Sequence, residues 1–131
     1  MQKQKLGMPA RIVNAAAAIA AMGFAIVASI DPAAVLPAAD PTPGTEMYAW
    51  AYAVRAVPLG VVLLVALFGK NERVLLPLLA TAGVVQLGDI LIGADRHLVG
   101  MMIGGALGAA IHLTTAAHLM AARRRPVHRY S

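Results

Sequence analysis

The stretch LPLLATAGVVQLGDILIGADRHLVGMMIGGALGAAIHL, residues 76–113, decides the fold. It reads as two apolar helices joined by a short polar turn that carries Asp95, Arg96 and His97. The first helix holds Gln86 and Asp89 in otherwise hydrophobic surroundings. The second holds Gly100, Gly104 and Gly108, then His112. Each apolar run has the length of a bilayer-spanning helix, about 20 residues. A carboxylate inside such a helix is costly, so Asp89 needs a partner or a chemical role.

Composition points the same way. Of 131 residues, 60% are hydrophobic and only 13% are charged, with a mean hydropathy of +0.72. A soluble domain carries about a quarter charged residues. A chain this short cannot bury so much apolar surface in its own core, so lipid must cover the rest. Cysteine is absent, which excludes disulfides, thiolate metal sites and cysteine nucleophiles. No Walker loop or GxGxxG accompanies the glycines. Nothing in the chain calls for a cofactor, and His97 and His112 sit too far apart in the helices to make a metal pair.

Two further spans precede the opening stretch. Residues 12–30 form the first apolar run. A signal peptide is its rival, with a basic start and Pro37-Ala38-Ala39 as a cleavage site, but the run exceeds the usual h-region of about 7–15 residues. Asn14 lies near its start, at headgroup depth. Residues 31–46 are rich in proline and acidic, and read as a loop that folds back as a lid, with Thr45 as the cap of the next helix. The second span, 47–68, begins with Tyr48, Trp50 and Tyr52, an interfacial aromatic belt. Arg55 follows within it, and Pro58 should loosen the helix. The third and fourth spans cover 74–92 and 98–120. No internal repeat relates the halves.

The formal charge is +5, and its distribution is informative. Lys3, Lys5, Arg11, Lys70, Arg73, Arg123, Arg124, Arg125 and Arg129 fall on one side of the spans, and Arg96 falls on the other. This is a topology signal rather than a nucleic-acid patch, and it puts both termini in the cytoplasm. The predicted fold is an all-α, integral-membrane, antiparallel four-helix bundle made of a single domain, residues 1–131, in the cell membrane if the chain is bacterial.

In that topology Arg55 and Asp89 share the outer half of the bilayer. Tyr48, Tyr52 and Arg55 form one helical stripe, and Gln86 and Asp89 another. Two readings of the pair follow. It is a buried ion pair that fixes helix register, or it lines a pocket that opens outward, with Asp95, Arg96 and His97 as a roof. His112 lies deeper, and its plainest role is a hydrogen bond to a neighbouring helix. Thr114, Thr115 and His118 read as packing or interface residues. The Gly100/Gly104/Gly108 ladder is a small-xxx-small face suited to close helix approach, either within the bundle or toward a second copy or another membrane protein.

The segment AVRAVPLGVVLL, then a helix ending VVQLGDILIG, then a glycine-rich helix with an inner histidine, resembles a family of small four-helix membrane proteins of bacteria and fungi. The matching residues are Arg55, Leu59, Gly60 and Asp89, and the similarity covers about the last two thirds of the chain. Some fungal members look like membrane-bound epoxide hydrolases of polyene polyketide pathways. The resemblance implies epoxide opening on a lipophilic substrate: Asp89 as acid or base, Arg55 as its orienter, Asp95 as a second carboxyl. Gln86, Tyr52, Tyr48, Trp50 and His112 would hold water or substrate. The chemistry is similar in kind to the Asp-Arg-Asp arrangement of soluble limonene epoxide hydrolases. A non-catalytic subunit or assembly factor, with Arg55–Asp89 as a structural pair, is the alternative. A proton-coupled carrier is disfavoured by the distance in sequence depth between Asp89 and His112.

Overall fold

The computed structural model describes residues 5–35, 42–69 and 72–124, and every regular element among them is a helix. Four are long and apolar enough to cross a membrane: α1 (Met8–Ile30), α3 (Pro43–Phe68), α4 (Leu75–Asp95) and α5 (Val99–Arg124). The short α2 (Pro32–Val35) follows α1 directly. Much of each long helix faces outward, as Val54, Val65, Leu91 and Leu107 show. These are the side chains that lipid must cover. The protein is thus a helical bundle built as a multi-pass membrane protein.

The helix ends explain where the sequence-based bounds moved. α3 starts at Pro43 rather than at 47, because proline suits the first helical position and Thr42 precedes it as a cap. The Thr42 hydroxyl accepts from the Thr45 backbone N–H at 3.2 Å, so Thr45 is the capped residue and not the cap. Pro58 lies inside α3 without ending it. α4 closes with the Leu98 N–H donating to the Gly93 carbonyl at 2.8 Å, and His97 occupies the left-handed region at φ 56°. That six-to-one bond around a left-handed residue is a Schellman stop, usually made with glycine.

The bundle consists of two closely packed pairs, α1 with α3 and α4 with α5; the α3–α4 and α1–α5 seams are looser. Glycine permits the α4–α5 approach from both sides, through Gly83 against Leu113 and Gly93 against Met102 on α4, and through Gly105 and Gly108 on α5. A side chain at Gly105 would strike the backbone oxygen of Gln86, and one at Gly108 would strike the Gln86 side chain. The ladder inferred from sequence is therefore split. Gly108 is buried, whereas Gly100 and Gly104 are exposed with open space above them. Recurrence every four residues drifts about 40° per step around a helix of 3.6 residues per turn, so the ladder turns off the packed face.

The apolar core comes in two blocks. The larger contains Leu63, Leu67, Leu75, Leu79 and Leu119. The smaller contains Ala25, Tyr52, Ala53 and Met101. At the far side of the larger block, Arg11 is fixed by three groups. Its Nε donates to the Leu6 carbonyl at 2.9 Å, one terminal nitrogen donates to the Leu67 carbonyl, and the other pairs with Glu72 at 2.5 Å. Arg123 donates to the Glu72 carbonyl at 3.1 Å. These bonds gather the start of α1, the α3–α4 turn and the end of α5.

Candidate functional site

Three polar residues are buried among the described residues: Asn14, Asp89 and His112. Asp89 projects from α4 and is 3% exposed. Its Oδ1 accepts from an Arg55 terminal nitrogen at 2.6 Å, which bridges the loose α3–α4 seam. The Arg55 side chain is 43% exposed, so one end of this ion pair is sealed and the other reaches the outer surface. The guanidinium also stacks over the Tyr52 ring, 5.2 Å from its centroid. Tyr52 is buried, its hydroxyl is turned toward the same carboxylate, and its ring meets Phe24 edge-on at 6.0 Å. The spacing of Tyr52 and Arg55 on α3 brings both to the seam, as their shared stripe requires.

Behind the pair is a cavity of about 30 Å³, bounded by all four long helices. Its polar lining consists of Tyr52, Gln86, Asp89 and His112; alanines, leucines, Val85 and Gly60 supply the rest. At roughly 10–15 Å³ per water, it has room for about two molecules. Gln86 lines the cavity and makes no hydrogen bond to a described protein group. A second, almost entirely apolar pocket of about 20 Å³ lies on the other side of Tyr52, next to Phe24, Val35, Tyr48 and Met101. Tyr52 is the wall between the two.

His112 belongs to a second polar group, deeper in the bundle. Its Nδ1 is 2.8 Å from Asn14 Oδ1, and both residues are 1% exposed. Asn14 Nδ2 donates to the Ala10 carbonyl at 2.8 Å and to Thr115 Oγ1 at 2.9 Å. Thr115 Oγ1 in turn donates to the Ile111 carbonyl at 2.8 Å. Asn14 is therefore a core residue and not a headgroup contact, and Thr115 is part of a network rather than packing alone. No pattern in the sequence pairs Asn14 with His112, which lie 98 positions apart. The depth gap between Asp89 and His112 also closes, because both face one cavity.

The structure thus assembles Arg55, Asp89, Tyr52, Gln86 and His112. Tyr48 lines the apolar pocket and lies near the Arg55–Asp89 pair. Trp50 is 60% exposed on the outside of α3 and joins no site. Asp95 is exposed and pairs with its neighbour Arg96 at 3.1 Å, so the turn does not roof the pair and supplies no second carboxyl. His97 is exposed and serves the helix stop. α2 brings Val35 to the apolar pocket, while residues 36–41 of the expected lid lie outside the described residues. Among the described residues, no three His, Asp or Glu side chains come together as a metal ligand set.

The fold and the site define a class: a multi-pass membrane bundle with a buried Arg–Asp pair beside a small cavity that is partly polar in its lining. No family model, curated protein or solved structure matches the chain closely enough to narrow that class.

Proposed function

We propose that this protein is a small membrane enzyme that opens an epoxide on a lipophilic substrate. It would work as an antiparallel four-helix bundle with both termini cytoplasmic, in the orientation that the basic ends favour. One observation carries the reading: a buried carboxylate, held by an arginine, faces a water-sized cavity. A purely structural pair needs no such cavity. The resemblance of the Arg55 and Asp89 segments to a family of small four-helix membrane proteins, some of which look like epoxide hydrolases, adds to it.

The cavity holds the water and not the substrate. The epoxide would approach from lipid at the loose α3–α4 seam, where half-exposed Arg55 binds the ring oxygen. Asp89 takes a proton from the water as its oxygen adds to a ring carbon and the carbon–oxygen bond breaks. The ring oxygen takes the Tyr52 proton, and Asp89 returns its proton to Tyr52. Water and epoxide have then become a diol, and both side chains are restored. Positioned acid–base groups of this kind contribute about 10²–10⁴-fold in rate.

The test is turnover of a lipophilic epoxide, such as trans-stilbene oxide, by the full chain in lipid nanodiscs made up in ¹⁸O-water. The reading expects a diol with one labelled oxygen. No diol above the rate of empty nanodiscs would end it. A second reading is favoured by exposed Gly100 and Gly104, whose open face suits another transmembrane helix. In that case the protein is a non-catalytic subunit that docks through α5, and Gly104→Leu would abolish co-purification of a partner or a second copy.

A further inference from the structure

His112 is the most deeply buried ionisable side chain described, and the chemistry above does not use it. Its hydrogen bonds can be assigned from the chain of donors around it. Both bonds of the Asn14 amide nitrogen go to acceptors, Ala10 O and Thr115 Oγ1. Thr115 can accept because its own proton goes to Ile111 O. The amide orientation is then set, and Asn14 Oδ1 is the atom that faces His112 Nδ1. An oxygen there can only accept, so Nδ1 carries the proton. In the neutral ring Nε2 is then a bare acceptor.

Nε2 has no hydrogen bond to a described protein group, yet no buried side-chain nitrogen or oxygen is left both sealed and unpartnered. The atom must therefore look into open space, and the space that His112 lines is the central cavity. An unpartnered acceptor, the Gln86 amide and the Asp89 carboxylate converge on a volume fit for water.

We propose that His112 is the inner holder of the site's water: Asn14 and Thr115 lock the imidazole with Nδ1 protonated, so that Nε2 accepts from a water also held by Gln86 and Asp89. The assignment of that water as the attacking one rests on the epoxide reading; the water site itself does not. The network joins α1, α4 and α5 around one molecule, and Asn14 acts as a positioning residue through the imidazole.

Nitrogen-15 NMR of the full chain in nanodiscs tests it, with the His112 signals identified by their loss in His112→Leu. The expected wild-type spectrum has a protonated Nδ1, an unprotonated Nε2 and a cross-peak from water to the ring. Asn14→Leu should remove the single-tautomer signature, and Ala82→Leu, which fills the cavity, should remove the water cross-peak alone. A proton on Nε2, or no water contact in the wild type, overturns the proposal. In turnover, His112→Leu should lower diol formation about a hundredfold, and His112→Gln, which keeps an acceptor, should restore part of it. A water contact without diol formation supports this site and removes the epoxide reading. Diol formation unchanged in His112→Leu keeps the epoxide reading and overturns the assignment of this water as the attacking one.

Discussion

Two arginine–carboxylate pairs hold this bundle, and they are built differently. Arg11 and Glu72 meet at 2.5 Å, and Arg11 uses two further donors on the Leu6 and Leu67 carbonyls. Both side chains are mostly buried, at 13% and 23% exposure, and neither lines the central cavity. Arg55 and Asp89 meet at nearly the same distance, 2.6 Å, but only Asp89 is sealed. The guanidinium is half exposed, its other described contact is an aromatic face, and a cavity lies behind the carboxylate. A pair whose hydrogen-bonding capacity is taken up by the protein is a clamp. A pair that leaves capacity open toward a cavity and toward the surface can act on something else.

The largest effect should come from breaking the open pair. Asp89→Asn should lower diol formation by about 10²–10⁴-fold, and Arg55→Gln should do nearly the same, with helical content unchanged by circular dichroism. Next in size is the clamp. Arg11→Leu strands Glu72 and frees two backbone carbonyls, so it should destabilise the fold by about 1–3 kcal/mol, measured by unfolding in mixed detergent. Turnover per folded molecule should stay at the wild-type level. Gly108→Leu sharpens the same contrast from the packing side. Its side chain would strike Gln86, so it should disturb the cavity and lower both stability and turnover, while Gly100→Leu should leave both unchanged in the isolated protein. The smallest effect concerns the α4–α5 turn. His97→Gly removes a left-handed non-glycine residue and should raise stability by about 0.5–1 kcal/mol without touching turnover.

The legible part of this molecule was what periodicity and hydropathy encode. Four apolar runs with basic ends gave the spans, and one charged residue in each of two spans gave the Arg55–Asp89 contact, because a charge in lipid needs an opposite charge at its own depth. Helix phase placed Tyr52 and Gln86 beside it. The failures share a cause. Asn14, Thr115 and the Gly105 contact depend on how α1 and α5 rotate about their axes, and a helix this apolar on every side gives no strong face to fix that rotation. Trp50 as a substrate holder and Asp95 as a second carboxyl enter the site only through the resemblance, and a helix turns about 100° per residue, so a neighbour of Arg55 or Asp89 in sequence can point away from the site. The Thr42 cap is hidden in the sequence because Pro43 falls in a proline-rich stretch that reads as loop, although proline suits the first helical position.

The difference between the two pairs is most directly tested by measuring Asp89→Asn and Glu72→Gln side by side in nanodiscs, each for epoxide turnover and for thermal unfolding. The account predicts that Asp89→Asn loses turnover while unfolding at a temperature closer to wild type than Glu72→Gln does, and that Glu72→Gln keeps its turnover per folded molecule. Equal turnover in Asp89→Asn and wild type, or a loss of turnover that only follows the loss of fold in both variants, would contradict it.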